Sequence, residues 1–127
     1  FAPAYYAASQ IYASTNDLKS AFSAAALATQ HAPQDPLAWY NAGAIAYADR
    51  DYANAITALE QALTLESNYK NAMYILGLAY YDAGRAIDSL TVFEALGTLE
   101  PTQQVVQDAI KNLRAGTPPV PAALGIQ

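Results

Sequence analysis

The chain has 127 residues, enough for one small domain, and carries a net charge of −5 from 11 acidic and 6 basic residues. Because the few Lys and Arg residues are not clustered, the sequence excludes the basic surface that a nucleic acid or an anionic membrane requires. The absence of cysteine excludes disulfides, thiol chemistry and thiolate metal sites.

Helix-forming residues dominate the chain, and the breaks between them divide it into seven predicted helices. Asp17 and Asp51 precede the second and fourth helices and can accept a hydrogen bond from a free backbone N–H, so we interpret them as N-caps. Asp35 before Pro36 predicts the start of the third helix, and Thr102 is the predicted cap of the last. The predicted helices lie near residues 3–14, 18–31, 36–48, 52–65, 70–82, 86–98 and 102–115.

An internal repeat organises these helices in pairs, because shifting the sequence by 34 residues aligns it with itself twice. In the second helix of each pair the aligned residues are three and four apart, which places them on one helix face. The smallest residues fall where two backbones would approach most closely. The aligned sets are Tyr5/Trp39/Met73, Ser9/Gly43/Gly77 and Tyr12/Ala46/Tyr80 in the first helices, and Ala21/Ala55/Ser89, Ala25/Leu59/Phe93 and Ala28/Ala62/Leu96 in the second helices.

The middle stretch, from Pro36 to Tyr69, resembles the tetratricopeptide repeat through Trp39-Tyr40-Asn41-Ala42-Gly43, Asp51-Tyr52, Ala55-Ile56 and Ala62-Leu63. The third stretch matches nearly as well, whereas the first has Ser9 in place of the small glycine and Ala25 in place of a bulky residue. The resemblance implies an all-α fold, a right-handed α-solenoid of three helix-turn-helix repeats over residues 2–35, 36–69 and 70–103. Gln107 and Lys111 give the last helix a more polar face, so we predict a capping helix at 103–115 that completes a domain at 2–115.

The resemblance also implies a concave wall, made mainly by the first helix of each pair, which receives a peptide or helix of a partner protein. Tyr side chains would supply rigid, amphipathic contacts there, and Asn carboxamides could pair with a partner's peptide bond. The alternative is that Tyr74 and Tyr81 only pack against the neighbouring helix pair. The wall would comprise Tyr6, Gln10, Tyr40, Asn41, Ala44, Tyr47, Asn71, Tyr74, Leu78, Tyr81, Asp82 and Asp108.

Some members of the family bind a C-terminal carboxylate with Lys, Arg and Asn on this wall. Asn41 is present here, but Asn71 and Ile75 stand where that subgroup has Lys and Arg. We therefore do not predict a carboxylate clamp.

No constellation of residues predicts catalysis, a cofactor or a metal site. His31 is the only histidine and stands in the last turn of a predicted helix, which is typical of a solvated helix-end residue. The carboxylates of the second helices have polar neighbours and predict a solvated face; they are Glu60, Glu66, Glu94 and Glu100. The sequence therefore predicts a protein or peptide partner and no enzyme activity.

The two ends of the chain raise a second hypothesis, a structural subunit that polymerises into a filament. The first helix pair has no predicted cap before Phe1, and residues 116–127 form a Pro-rich tail. End-to-end stacking and docking of the tail on another copy would then use Phe1, Tyr5, Leu124 and Ile126. The alternative is a fragment whose upstream part covers the first helix pair and whose tail folds back on its own last helices.

The apolar runs are short, the longest being Ala24 to Ala28 and Ala42 to Ala48, so no membrane insertion is predicted. The chain starts at Phe1 without a signal-peptide pattern, which predicts a processed product or a piece of a longer protein. Absent cysteine, few lysines and many Ser and Thr residues slightly favour a bacterial envelope or extracellular location over the cytoplasm.

Overall fold

The computed structural model describes residues 2–121, and in this range the chain forms seven α-helices and no strand. The predicted all-α class is confirmed. The helices are α1 (Ala2–Ser14), α2 (Leu18–His31), α3 (Pro36–Ala48), α4 (Tyr52–Leu65), α5 (Lys70–Asp82), α6 (Ala86–Leu99) and α7 (Gln104–Arg114). None of these seven helices combines the length and the apolar character needed to cross a bilayer.

The three predicted aspartate caps are confirmed by their hydrogen bonds. The carboxylates of Asp17, Asp35 and Asp51 accept from backbone N–H groups of the first turns of α2, α3 and α4, at 3.2, 3.0 and 3.3 Å. Each bond satisfies a donor that has no partner within its helix.

The predicted cap at Thr102 is wrong. The N-cap of α7 is Gln103, whose side chain makes no capping bond. The repeat explains the difference, because Gln103 aligns with Asp35, the N-cap of α3, whereas Thr102 aligns with Gln34 inside the preceding turn.

One turn geometry recurs between the two helices of every pair. Asn16, Arg50 and Gly84, spaced 34 residues apart, all have a positive φ, of 63°, 61° and 83°. After each of them the backbone N–H of the next residue donates to a carbonyl near the end of the first helix, at 2.7 to 2.9 Å. This left-handed residue reverses the chain so that the second helix packs back on the first.

Within each pair, a small residue of the first helix faces a matched residue of the second. A Cβ placed on Gly43 would lie 2.6 Å from Leu59 Cγ, and one on Gly77 would lie 2.5 Å from Phe93 Cε2. In the first pair the aligned positions hold Ser9 and Ala25, both fully buried. The larger residue in α1 is thus matched by a smaller one in α2, which keeps the packed volume similar.

The pairs stack in chain order, because each second helix lies between the first helices of its own pair and the next. Each cluster of buried side chains joins three consecutive helices: one joins α2 to α4, one joins α3 to α5, and one joins α5 to α7. Successive first helices also touch directly, α1 with α3 and α3 with α5. This arrangement is the predicted helical solenoid.

The described part of the tail folds onto α7 of its own chain. Gly116, with φ 82°, ends the helix, and the Thr117 N–H and hydroxyl both donate to the Asn112 carbonyl at 2.9 Å. The Asn112 side chain donates to the Pro119 carbonyl at 3.2 Å, and Pro119 is buried. Residues 116–121 therefore fold back on α7, as the fold-back alternative expects.

Candidate interaction surface on the first helices

The predicted wall residues belong to the first helices α1, α3, α5 and α7, and two hydrogen bonds link them across neighbouring helices. Gln10 Nε2 of α1 donates to Asn41 Oδ1 of α3 at 2.7 Å. Tyr47 Oη of α3 donates to Asp82 Oδ2 of α5 at 2.8 Å. We call the surface formed by Tyr6, Gln10, Tyr40, Ala44, Tyr47, Asn71, Tyr74, Leu78, Tyr81, Asp82 and Asp108 the first-helix surface.

Asn41 differs from the expected free carboxamide. It is only 7% exposed, its Oδ1 accepts from Gln10, and its Nδ2 donates to Ser9 Oγ at 2.9 Å. Ser9 Oγ in turn donates to the Tyr6 carbonyl at 2.7 Å. Because both groups of the amide have partners inside the chain, Asn41 joins α1 to α3, and we leave it out of the first-helix surface.

The tyrosines combine packing with exposure. The Tyr40 ring lies 5.1 Å from the Tyr69 ring, and Tyr74 contacts Phe93 edge-on at 5.7 Å. Tyr81 and Leu78 pack at the margin of the core cluster that joins α5 to α7. The packing alternative thus accounts for part of each of these surface side chains, but Tyr40, Tyr74, Leu78 and Tyr81 all keep a share of exposed area.

Two of the tyrosine hydroxyls are held in their neutral form. Burial raises the pKa of Tyr47 above its usual range, and the hydrogen bond to Asp82 raises it further. Burial also raises the pKa of Tyr69, with a smaller contribution from the adjacent Tyr40. Both phenols therefore stay uncharged and offer a hydroxyl group on an apolar ring.

The charges on this surface are mainly negative. Asp82 and Asp108 are exposed, and they accept hydrogen bonds from Tyr47 and from Gln104. Lys70 at the start of α5 is 3.2 Å from Glu100 in an ion pair, and Lys111 borders the same indentation as Asp108 on α7. A partner peptide bound at this surface would contact aromatic rings and carboxylates, rather than a cluster of Lys and Arg side chains that grips a carboxylate.

Two indentations between the starts of first helices extend the surface. One, of about 190 Å³, includes Tyr6 and Leu37, and the other, of about 300 Å³, includes Tyr74 and Val105. The sequence interpretation missed Leu37 and Val105, which are both about half exposed. They align with Asn71, a wall residue implied by the family resemblance, at the 34-residue spacing, so applying the repeat to Asn71 could have identified them too.

Of the residues predicted for self-association, Phe1, Leu124 and Ile126 lie outside the described range. Tyr5 stacks on His31 with 5.0 Å between ring centroids, so the histidine rests against α1 at the end of α2. Among residues 2–121 no group of three His, Asp or Glu side chains is arranged to hold a metal ion.

Comparison with known proteins decides the family. Sequence profiles described as tetratricopeptide repeat match residues 2–35 and 36–69, which together are more than half of the chain. The chain belongs to the tetratricopeptide-repeat family. Both matches coincide with helix pairs of this tetratricopeptide-repeat fold, α1/α2 and α3/α4, and the pair α5/α6 continues the same stacking.

Solved structures share the tetratricopeptide-repeat fold over most of their length at low sequence identity. The first TPR of Spaghetti (RPAP3), bound to the HSP90 peptide SRMEEVD, is 16% identical with a TM-score of 0.84, covering 91% of each chain. The Arabidopsis OM64 TPR domain is 16% identical with a TM-score of 0.82, covering 90% of this chain and 94% of that one. The TPR2B domain of yeast Sti1, in a complex with pHsp70, is 20% identical with a TM-score of 0.72, covering 76% and 78%. No curated protein matches the sequence.

Proposed function

We propose that the chain is a protein-interaction module whose first-helix surface forms a concave groove for a peptide or helix of a partner protein. The observation that carries the proposal is the row formed by Tyr6, Tyr40 and Tyr74. They occupy one repeat position on three successive first helices, and each keeps part of its ring exposed. Such rings supply contact area at a low entropic cost, because two torsion angles fix them.

The groove binds its partner through non-covalent contacts alone, with no catalytic residue and no cofactor. Its exposed polar groups are phenols, amides and single carboxylates, and they suit hydrogen bonds to a peptide backbone. The tetratricopeptide domains of RPAP3 and Sti1 are bound to HSP90 and Hsp70 partners in their structures, which supports a peptide partner here.

The charge of the groove favours a different class of peptide from the acidic SRMEEVD that RPAP3 holds. Asp82 and Asp108 are exposed, whereas Lys70 is already paired with Glu100. Like charges facing each other weaken binding and opposite charges favour it. The partner is therefore an extended segment that is neutral or basic, with apolar side chains for the two indentations.

Panning a random peptide library on the immobilised chain tests this assignment, with two tyrosines of α1 as a matched pair. Tyr6 and Tyr12 are 36% and 41% exposed, but only Tyr6 belongs to the first-helix surface. We expect the selected peptides to bind Tyr6→Ala roughly tenfold more weakly and to bind Tyr12→Ala like the unmodified chain. Equal effects of the two substitutions, or selection of acidic peptides, would contradict the proposed groove.

The alternative function, a homopolymeric filament joined by tail docking, draws less support from this structure. Residues 117–121 pack on α7 of the same chain and leave less of the tail available for another copy. Residues 119–121 of the tail border an indentation together with Asp108 and Lys111 of α7. These two residues occupy the repeat positions of Tyr74 and Gly77, which lie against Phe93 of α6 in the preceding pair.

A further inference from the structure

The two indentations of the first-helix surface are one site that occurs twice. All six residues that line the first indentation have a counterpart in the second at twice the 34-residue spacing. Each site therefore has a tyrosine of one first helix on one side and a large aliphatic residue of the next first helix on the other. The tyrosine and the aliphatic residue are Tyr6 and Leu37 in the first site, and Tyr74 and Val105 in the second.

The equivalent position between α3 and α5 is built differently. Tyr69, the counterpart of Asp35 and Gln103, is half-buried there, and its ring lies 5.1 Å from the Tyr40 ring. Asn71 replaces the aliphatic residue of the two outer sites. An apolar side chain of a partner would therefore find less room and a more polar lining at this middle position.

The distance between the two outer sites limits which segments can use both. The helices α1, α3 and α5 touch in sequence, and α5 and α7 share a core cluster. Since helices packed in this way have axes about 8–10 Å apart, two such steps separate the sites by roughly 16–20 Å. A polyproline II segment has three residues per turn and rises about 3.1 Å per residue, so its residues i and i+6 lie on one side about 19 Å apart. Residue i+3 then lies over the middle position.

The polar groups and charges of this surface also suit such a segment. The carbonyl groups of a polyproline II backbone have no internal partners and can accept hydrogen bonds from phenol and carboxamide groups. The segment is already extended before it binds, so it loses little freedom. Asp35 borders the first site and is exposed, as are Asp82 and Asp108, so basic residues beside the apolar ones are favoured.

We propose that the groove selects a proline-rich segment with large apolar side chains at positions i and i+6, and that Tyr69 and Asn71 exclude one at i+3. This inference rests on the proposed function, because it specifies the segment that the same groove binds. Each outer site holds one of the two apolar side chains. Tyr69 and Asn71 are the residues that determine the spacing, since they distinguish the middle position from the outer sites.

Fluorescence anisotropy with three labelled synthetic peptides tests the spacing. Each peptide has a Lys residue at both ends, and the central sequences are Leu-Pro-Pro-Ala-Pro-Pro-Leu, Leu-Pro-Pro-Leu-Pro-Pro-Ala and Leu-Pro-Pro-Ala-Pro-Pro-Ala. We expect the first peptide to bind roughly tenfold more tightly than the other two, because a second leucine is buried only at i+6. The second and third peptides should bind alike.

Variants of the chain test which residues determine the spacing. Leu37→Ser and Val105→Ser should each reduce the affinity for the first peptide to that for the third, with unchanged helical circular dichroism. The double variant Tyr69→Gln/Asn71→Val gives the middle position the glutamine and valine of the second site, and it should bind the second peptide roughly tenfold more tightly than the unmodified chain does. Tyr12→Gln, outside the first-helix surface, is the control and should change none of the three affinities.

Three results would overturn the proposed spacing. Equal binding of all three peptides, weakened throughout by Tyr6→Ala, would contradict it while supporting the groove. Failure of all three peptides to bind would also contradict it, whereas selection from the random library tests the groove independently. A folded double variant that gains no affinity for the second peptide would show that Tyr69 and Asn71 do not determine the spacing.

Discussion

Tyr47 on α3 donates a hydrogen bond of 2.8 Å to the carboxylate of Asp82 on α5, so two first helices are joined directly across the candidate groove. The bond links adjacent helix pairs. It therefore stabilises their stacking as well as placing a carboxylate and a phenol side by side on the first-helix surface.

Replacing Tyr47 by Phe removes this bond while keeping the ring. We expect the free energy of unfolding to fall by about 0.5–1.5 kcal/mol, because the Tyr47 side chain is half-buried and the lost donor is only partly replaced by water. Urea denaturation measures the change. Asp82→Asn keeps an acceptor oxygen and should cost less; a larger loss in this control than in Tyr47→Phe would contradict the assigned bond.

The close approach of α3 and α4 at Gly43 makes a second prediction. Gly43→Ala should lower the free energy of unfolding by about 1–3 kcal/mol, because the new Cβ would lie 2.6 Å from Leu59 Cγ. Combining it with Leu59→Ala recreates the small-residue pairing found at Ser9 and Ala25. The loss in the double variant should be smaller than the sum of the two single losses, and a strictly additive result would show that the contact does not limit packing.

The left-handed turn residues make a third prediction, which depends on the backbone alone. Gly84 has φ 83° and a Cβ there would meet no atom within 4 Å, so Gly84→Ala should destabilise the chain by about 1 kcal/mol through strain. Arg50 has φ 61° at the equivalent position, and Arg50→Gly should be neutral or stabilising by about 0.5 kcal/mol. Thermal unfolding of both variants checks that the two substitutions change stability in opposite directions. A loss of stability in Arg50→Gly would contradict backbone strain at Arg50.

The raised pKa of Tyr80 predicts that the chain loses stability in alkaline solution. Burial and its hydrogen bond to Glu60 raise the pKa of Tyr80 to about 12, above the usual value of 10.0. The unfolded chain therefore loses this proton at lower pH than the folded chain, so the stabilisation is complete below pH about 10 and declines as pH rises towards about 12.

Urea midpoints measured on both sides of this pH window test the assignment. Tyr80→Phe cannot ionise, so its midpoint should fall less between the two pH values than that of the unmodified chain. Tyr47→Phe should flatten the same dependence, since the pKa of Tyr47 is also raised. Parallel curves for Tyr80→Phe and the unmodified chain would show that Tyr80 is not responsible.

The sequence by itself determined the helices and their stacking, because both depend on patterns along the chain. Asp17, Asp35 and Asp51 mark helix starts through hydrogen bonds to residues two or three positions ahead. Gly43 and Gly77 recur 34 residues apart, and their small size dictates which faces approach. The row of tyrosines on the first helices was instead expected from the family resemblance.

Only the tertiary structure decided how individual side chains are used, because their partners come from distant parts of the chain. The Asn41 side chain is hydrogen-bonded to Ser9 and Gln10, which are 32 and 31 residues away, and no local sequence pattern could indicate these bonds. Pro119 is held against α7 by Asn112, and Ile11 is exposed because no second helix lies against its face in the described chain. Periodicity predicts which face of a helix is apolar, but whether that face is buried, bonded or open depends on what packs against it.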